Sequence, residues 1–158
     1  MEKASGLMDD YAKLKKEFKL PEYSLLDNEF EISTIETPGF LLRQIRRKIE
    51  ERISSINHRI ENVLHADSNS VSVLFESSFF TNDDKVKILE MHRKIMILIK
   101  KLDEADILQD EKKDADIIAE AAAEWPKLRK ECAEKIFTKI TKGWQNPSEP
   151  DEIVEYMG

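Results

Sequence analysis

Arg43, Arg46 and Arg47, spaced Arg-x-x-Arg-Arg, are the residues of this chain best suited to hold an anion. Arg43 and Arg47 lie four apart, so on a helix they share a face, and two guanidinium forks on one face can clamp a phosphate or an acidic peptide. With Lys48 and Arg52 set against Glu50 and Glu51, residues 43–52 carry a net +3. The plainer reading is that these arginines pair with neighbouring glutamates and with the acidic half of the last helix. Positive charge near a helix N-terminus is mildly unfavourable, and that placement hints at a purpose. The sharper expectation is an anion or nucleic-acid contact at Arg43, Arg46 and Arg47.

The second cluster is the C-terminal peptide around Ile153, Val154, Tyr156 and Met157, set among Glu149, Asp151, Glu152 and Glu155. An acidic-hydrophobic peptide can dock its apolar residues in a partner's groove while its acids steer towards a basic rim. Docking on a partner is the leading expectation, and the alternatives are that the peptide folds back on the arginines of 43–52 or is an inert terminus.

Other chemistries find no residues to carry them. A di-iron carboxylate site needs Glu-x-x-His pairs on facing helices. The residues three before His58, His65 and His92 are Ser55, Asn62 and Leu89, so no metal site is expected. Cys132 falls on an apolar stripe between Leu128 and Ile136, where a thiol acts as a small hydrophobe with a raised pKa. There is no Gly-x-Ser-x-Gly, P-loop or dinucleotide fingerprint, and 4 glycines could hardly build one. Neither a catalytic residue nor a cofactor is expected. Trp125 and Trp144 read as core and end-packing residues.

Composition points the same way. Hydrophobic residues make up 41% and charged residues 36% of the 158, too apolar for disorder and suited to long amphipathic helices. The few glycines and prolines sit at the ends of periodic runs, whereas an all-β chain would need more turn residues. Of the net charge of −7, residues 145–158 hold −4, leaving −3 for the body. That near-neutral body argues against a dedicated nucleic-acid binder. A single cysteine, an N-terminus without a signal-peptide core and the absence of any 18-residue apolar run make the cytoplasm the expected setting and exclude a membrane.

The elements that position these residues follow from periodicity. Thr37 and Pro38 have the chemistry of an N-cap and a first helical residue. Leu42, Ile45, Ile49, Ile53, Ile56, Ile60 and Val63 then trace one stripe along a helix over about 38–65. Leu7, Tyr11, Leu14 and Phe18 predict a short helix ending before Pro21, with residues 1–6 loose. Tyr23–Phe30 reads as a second short helix pointing Leu26 and Phe30 inward, and residues 31–36 as extended connection. The 70–80 segment reads as a short buried helix or irregular plug.

Thr81, with Asp84 three positions on, caps a helix over 82–105 whose inward residues are expected to be Val86, Leu89, Met96, Ile99 and Leu102. Its run Ile95–Ile99, apolar on all sides, predicts the most enclosed helix or a homodimer contact. A turn over 105–110 leads to Asp110 as the next cap. A helix over 111–144 follows, with Ile118, Ala121, Trp125, Leu128, Cys132, Ile136 and Ile140 inward, kinked at Pro126 and ended by Gly143. The expected fold is all-α: a helical bundle of three long helices plus short N-terminal helices, one domain over 1–144 and a flexible acidic tail over 145–158.

The segments L-P-E-Y-S-L-L-D-N-E-F-E-I, F-L-L-R-Q-I-R-R-K-I, F-E-S-S-F-F and E-W-P-K-L-R resemble an uncharacterised family of archaeal all-helical proteins. The resemblance spans most of the chain, implies a cytoplasmic archaeal setting, and assigns no activity to any residue. The expected function is that of a non-enzymatic protein–protein interaction or adaptor protein. The alternative is a nucleic-acid-associated protein using the basic start of the 38–65 helix.

Overall fold

A computed structural model describes residues 2–36 and 39–146. Thr37 and Pro38, the expected cap, and Ile153, Val154, Tyr156 and Met157 of the tail lie outside the described residues. Among those described, no strand is present and the fold is all-α. The helices are α1 (Glu2–Phe18), α2 (Tyr23–Phe30), α3 (Leu41–Leu64), α4 (Val71–Ser78), α5 (Asn82–Leu108), α6 (Glu111–Cys132) and α7 (Thr138–Gln145). The three long helices α3, α5 and α6 run for 24, 27 and 22 residues. At 17 residues α1 is not short, and it takes in residues 2–6 that were expected to be loose. Glu2, Lys3 and Ala4 are good helix formers, and an acid suits the first turn.

The chain divides into two compact units, Met1–Ser55 with Ile95–Pro126, and Ile56–Lys94 with Lys127–Gly158. In the first unit the expected stripe of α3 is buried at Leu42, Ile45, Ile49 and Ile53. The helix starts at Leu41 rather than 38, because Gly39 (φ +90°) and Phe40 (φ +48°) both adopt left-handed backbone. Gln44 closes the first turn: its backbone N–H donates to the Phe40 carbonyl at 3.1 Å and its side-chain amide to the Gly39 carbonyl at 2.6 Å. Buried Tyr11 of α1 packs edge-on against Tyr23 of α2 at 5.5 Å and donates its hydroxyl to the Pro21 carbonyl at 2.6 Å. The 31–36 segment is not extended throughout. It contains a 3-10 turn over Ile32–Thr34 that buries Ile32, and the Ser33 N–H donates to the Asp27 carboxylate at 2.8 Å.

In the second unit Ile60 and Val63 of α3 are buried, but Ile56 is only half-buried and Asn57 lies inside. Spacing alone leaves both positions open, since 56 stands three after Ile53 and four before Ile60 and 57 the reverse, and packing turns Asn57 inward. Asn57 meets its polar needs by accepting from His92 Nδ1 at 2.8 Å and donating to Glu61 at 3.2 Å.

The inward face of α5 differs from the expected one. Ile88, Met91, Ile95, Leu98, Leu102 and Ala105 are buried, whereas Val86 is 58% and Ile97 55% exposed. Met96 and Ile99 are half-buried. So many apolar residues on α5 leave two helical phases open, and the buried one is a step away from the one expected. α5 also continues through 105–108, and the break is only Gln109–Asp110, with Gln109 at φ +50°. Asp110 caps α6 as expected, its Oδ1 accepting from the Lys112 and Lys113 N–H groups at 2.8 and 3.1 Å.

Thr81 and Asp84 form the expected reciprocal capping pair. The Thr81 N–H donates to Asp84 Oδ2 at 2.9 Å, the Asp84 N–H to Thr81 Oγ1 at 3.2 Å, and Lys139 pairs with the same carboxylate. The Lys139 hydrogen bond first, and those from Thr81 after it, hold the Asp84 carboxyl down at about 2. A depressed carboxyl contributes stability that is present above its unfolded pKa of about 4 and fades as pH falls towards the folded value. Thr81→Ala is therefore expected to lower the urea midpoint at neutral pH, and to lower it less near pH 2. A cost that does not change with pH would remove Asp84 from this account.

Ile118, Ala121, Trp125, Leu128, Cys132 and Ile136 are buried along α6 and its continuation, as the periodicity predicts, and Ile140 is half-buried. The spacing from 128 to 140 is four residues three times over, and each such step in a straight α-helix drifts by about 40°. A π-turn over Ala133–Phe137 widens the helix there, with the Thr138 N–H reaching back five residues to the Ala133 carbonyl. Pro126 is accommodated inside α6, and Gly143 lies within α7, which ends at Gln145.

Candidate interaction site

The apolar surface with the most defined geometry lies in the second unit, on α4 and α7. Ser70 caps α4, its hydroxyl accepting from the Val73 N–H at 3.4 Å. Buried Ser77 fixes the helix by donating to the Val63 carbonyl at 3.0 Å, and Lys85 donates to Ser77 Oγ at 3.1 Å. Held this way, α4 presents Val71 and Phe75 one turn apart, with Phe79 following the helix.

Trp144 of α7 completes the group. Its indole stacks on Phe75 at 4.8 Å and 29°, and meets Phe79 edge-on at 6.0 Å, while Phe75 and Phe79 are themselves edge-to-face at 5.0 Å. The indole N–H donates to Glu76 Oε1 at 2.9 Å, so its polar edge is satisfied. Gly143 is required by this packing, since a Cβ there would run into the Phe79 ring. Trp144 nevertheless stays 50% exposed and Val71 61% exposed. An aromatic ledge with its N–H already bonded can take apolar side chains of a peptide or protein.

Comparison with protein families, with curated proteins and with solved structures finds no match. The site rests on geometry alone.

The predicted arginine cluster does not come together on a surface. Arg46 is fully buried in the first unit, with Nε donating to Asp114 at 2.7 Å and Nη2 to Asp106 at 2.6 Å, and Glu50 lies 3.8 Å from Nη1. Its anions are the chain's own, two from the glutamate side and acidic half of the last helix foreseen as the plainer reading, and Asp106 besides. The hydrogen bond from Arg46 holds the Asp106 carboxyl below the usual range. At Asp114 burial pushes the carboxyl up against the pull of Arg46, and burial likewise raises Glu50. Arg47 is exposed and Arg43 half-buried, with its guanidinium 4.8 Å over the Phe40 ring. An outside anion could meet Arg47 and the edge of Arg43, but not Arg46.

Cys132 is buried, donates to Met91 Sδ at 3.0 Å, and has its thiol pushed up to about 11 by burial, which suits packing and not nucleophilic attack. His58 and His65 are exposed, whereas His92 is half-buried on Asn57. Among the described residues no group of three His, Cys, Asp or Glu could hold a metal ion, and no helix is long and apolar enough to cross a membrane.

Sequence reasoning missed the ledge. The signal was present as Val71, Phe75 and Phe79 at steps of four, but nothing in the sequence tells that Trp144 returns to them.

Proposed function

We propose that this chain is a non-enzymatic protein-interaction module that docks partners on the Val71–Phe75–Phe79–Trp144 ledge. The observation carrying this reading is an indole half exposed although stacked, bonded and backed by two phenyl rings. Side chains of that kind, aromatic and pre-ordered, lose little entropy on binding and dominate interface energies. The test is a photo-crosslinking residue at Val71 in living cells, compared with the same residue at exposed Lys87. A discrete adduct from position 71, absent from position 87 and lost with Trp144→Glu, is the expected result. Identical patterns from both positions would sink the reading.

The exposed Val86 of α5 supports a second reading, self-association into a homodimer. Sedimentation at high micromolar concentration tests it, and a monomer there removes it. The nucleic-acid alternative is weaker, since Arg46 is taken up by Asp106 and Asp114.

A further inference from the structure

We propose that the chain's own C-terminal segment docks in cis on this ledge through Ile153, Val154, Tyr156 and Met157, so that an outside partner must displace it. The proposal rests on reading the ledge as a docking surface and names its resident occupant.

Charge distribution between the two units supports this choice. Residues 56–94 and 127–146 of the second unit hold 11 Lys and Arg against 8 Asp and Glu, a net +3. The first unit holds 14 against 20, a net −6, and the last 12 residues hold 4 acids and no base, a net −4. The three sum to the chain's −7. The segment's acids are therefore attracted by the unit to which they are joined and repelled by the other. Lys135 and Lys142 are exposed on the π-turn and α7.

Reach and chemistry agree with the charge. Trp144 belongs to the ledge and α7 ends one residue later, at Gln145. Ile153 follows Asn146 by seven residues, a span of up to about 24 Å at roughly 3.4 Å per residue. α4 is only about 12 Å long at 1.5 Å per residue, so the segment can return along it. The apolar residues it brings suit a ledge whose one polar atom, the indole nitrogen, is already bonded to Glu76. Tethering over so short a distance gives an effective concentration on the order of 1 mM, ahead of a free partner at micromolar levels.

Acrylamide quenching of tryptophan fluorescence in the full chain tests the proposal. Trp125 is fully buried, so the neutral quencher reads Trp144. A segment affinity near its effective concentration of about 1 mM leaves the ledge about half covered, so Ile153→Ser with Tyr156→Ser and Met157→Ser should raise the quenching constant about twofold. Those substitutions lie outside the packed helices, so circular dichroism should not change. Equal quenching of the two chains overturns the proposal and leaves the crosslinking result at Val71 to stand or fall separately. Shielding that disappears on dilution from about 100 to about 1 µM also overturns it, because the covering segment then comes from a second copy.

Discussion

Arg46→Ala is expected to destabilise the protein by about 3–5 kcal/mol, among the largest costs of any single change. The guanidinium is fully buried, and removing it strands Asp114, which is 3% exposed, without the cation bonded to it. An uncompensated buried carboxylate has lost both its Coulomb partner and the hydration it had in the unfolded chain. Asp106 suffers far less, since its side chain is 53% exposed and water replaces the lost bond. The deficit should depend on pH in a stated direction. Without Arg46 the Asp114 carboxyl, already pushed up by burial, rises further. A raised carboxyl contributes stability that is present below its unfolded pKa of about 3.9 and is lost as pH rises through the folded value. The variant's penalty should therefore be smallest near pH 4 and largest at neutral pH. Replacing both partners, Arg46→Met with Asp114→Leu, should recover most of the loss, because no buried charge is left behind. Urea midpoints across pH decide the matter. A single-variant cost below about 1 kcal/mol would mean that water reaches the pair.

Trp125→Ala should cost a similar amount, about 3–5 kcal/mol, through the cavity left in the first unit. The indole is fully buried, and its N–H is buried without a hydrogen-bond partner. A buried donor left unpaired costs about 1–3 kcal/mol by itself. Trp125→Phe removes that donor along with part of the ring, so it should fall well short of the alanine cost. If the phenylalanine variant is as damaged as the alanine one, shape at this position matters more than the unpaired nitrogen. Thermal unfolding followed at 222 nm separates the two outcomes.

Much of the fold was legible because most stripes allow one phase only. In α3 the isoleucines at 45, 49 and 53 leave no choice of face, and all three are buried. In α6 the residues from Ile118 to Cys132 are equally unambiguous. In α5 every position from 95 to 99 is apolar, so burial was decided by packing that a local pattern does not contain. Polar residues were misread for a related reason. Arg46 and Asn57 occupy helical positions that packing turns inward, and each is stabilised by partners distant in sequence, Asp114 for one and His92 for the other. A charge count over ten residues sees the arginine and cannot see what it meets. The capping residues Thr81 and Asp110 were readable because their partners lie within three positions. The ledge was not, because it joins residues 71–79 to residue 144.

The π-turn over Ala133–Phe137 also acts as a gear between two helices. A π-turn closes over five residues where an α-turn closes over four, so deleting one residue from it would let the helix run on as ordinary α with the residues after it on nearly the face they hold now. The indole of Trp144 would then still meet Phe75, whereas the same deletion between Thr138 and Gly143, with no extra residue to absorb it, would swing the ring by about 100°.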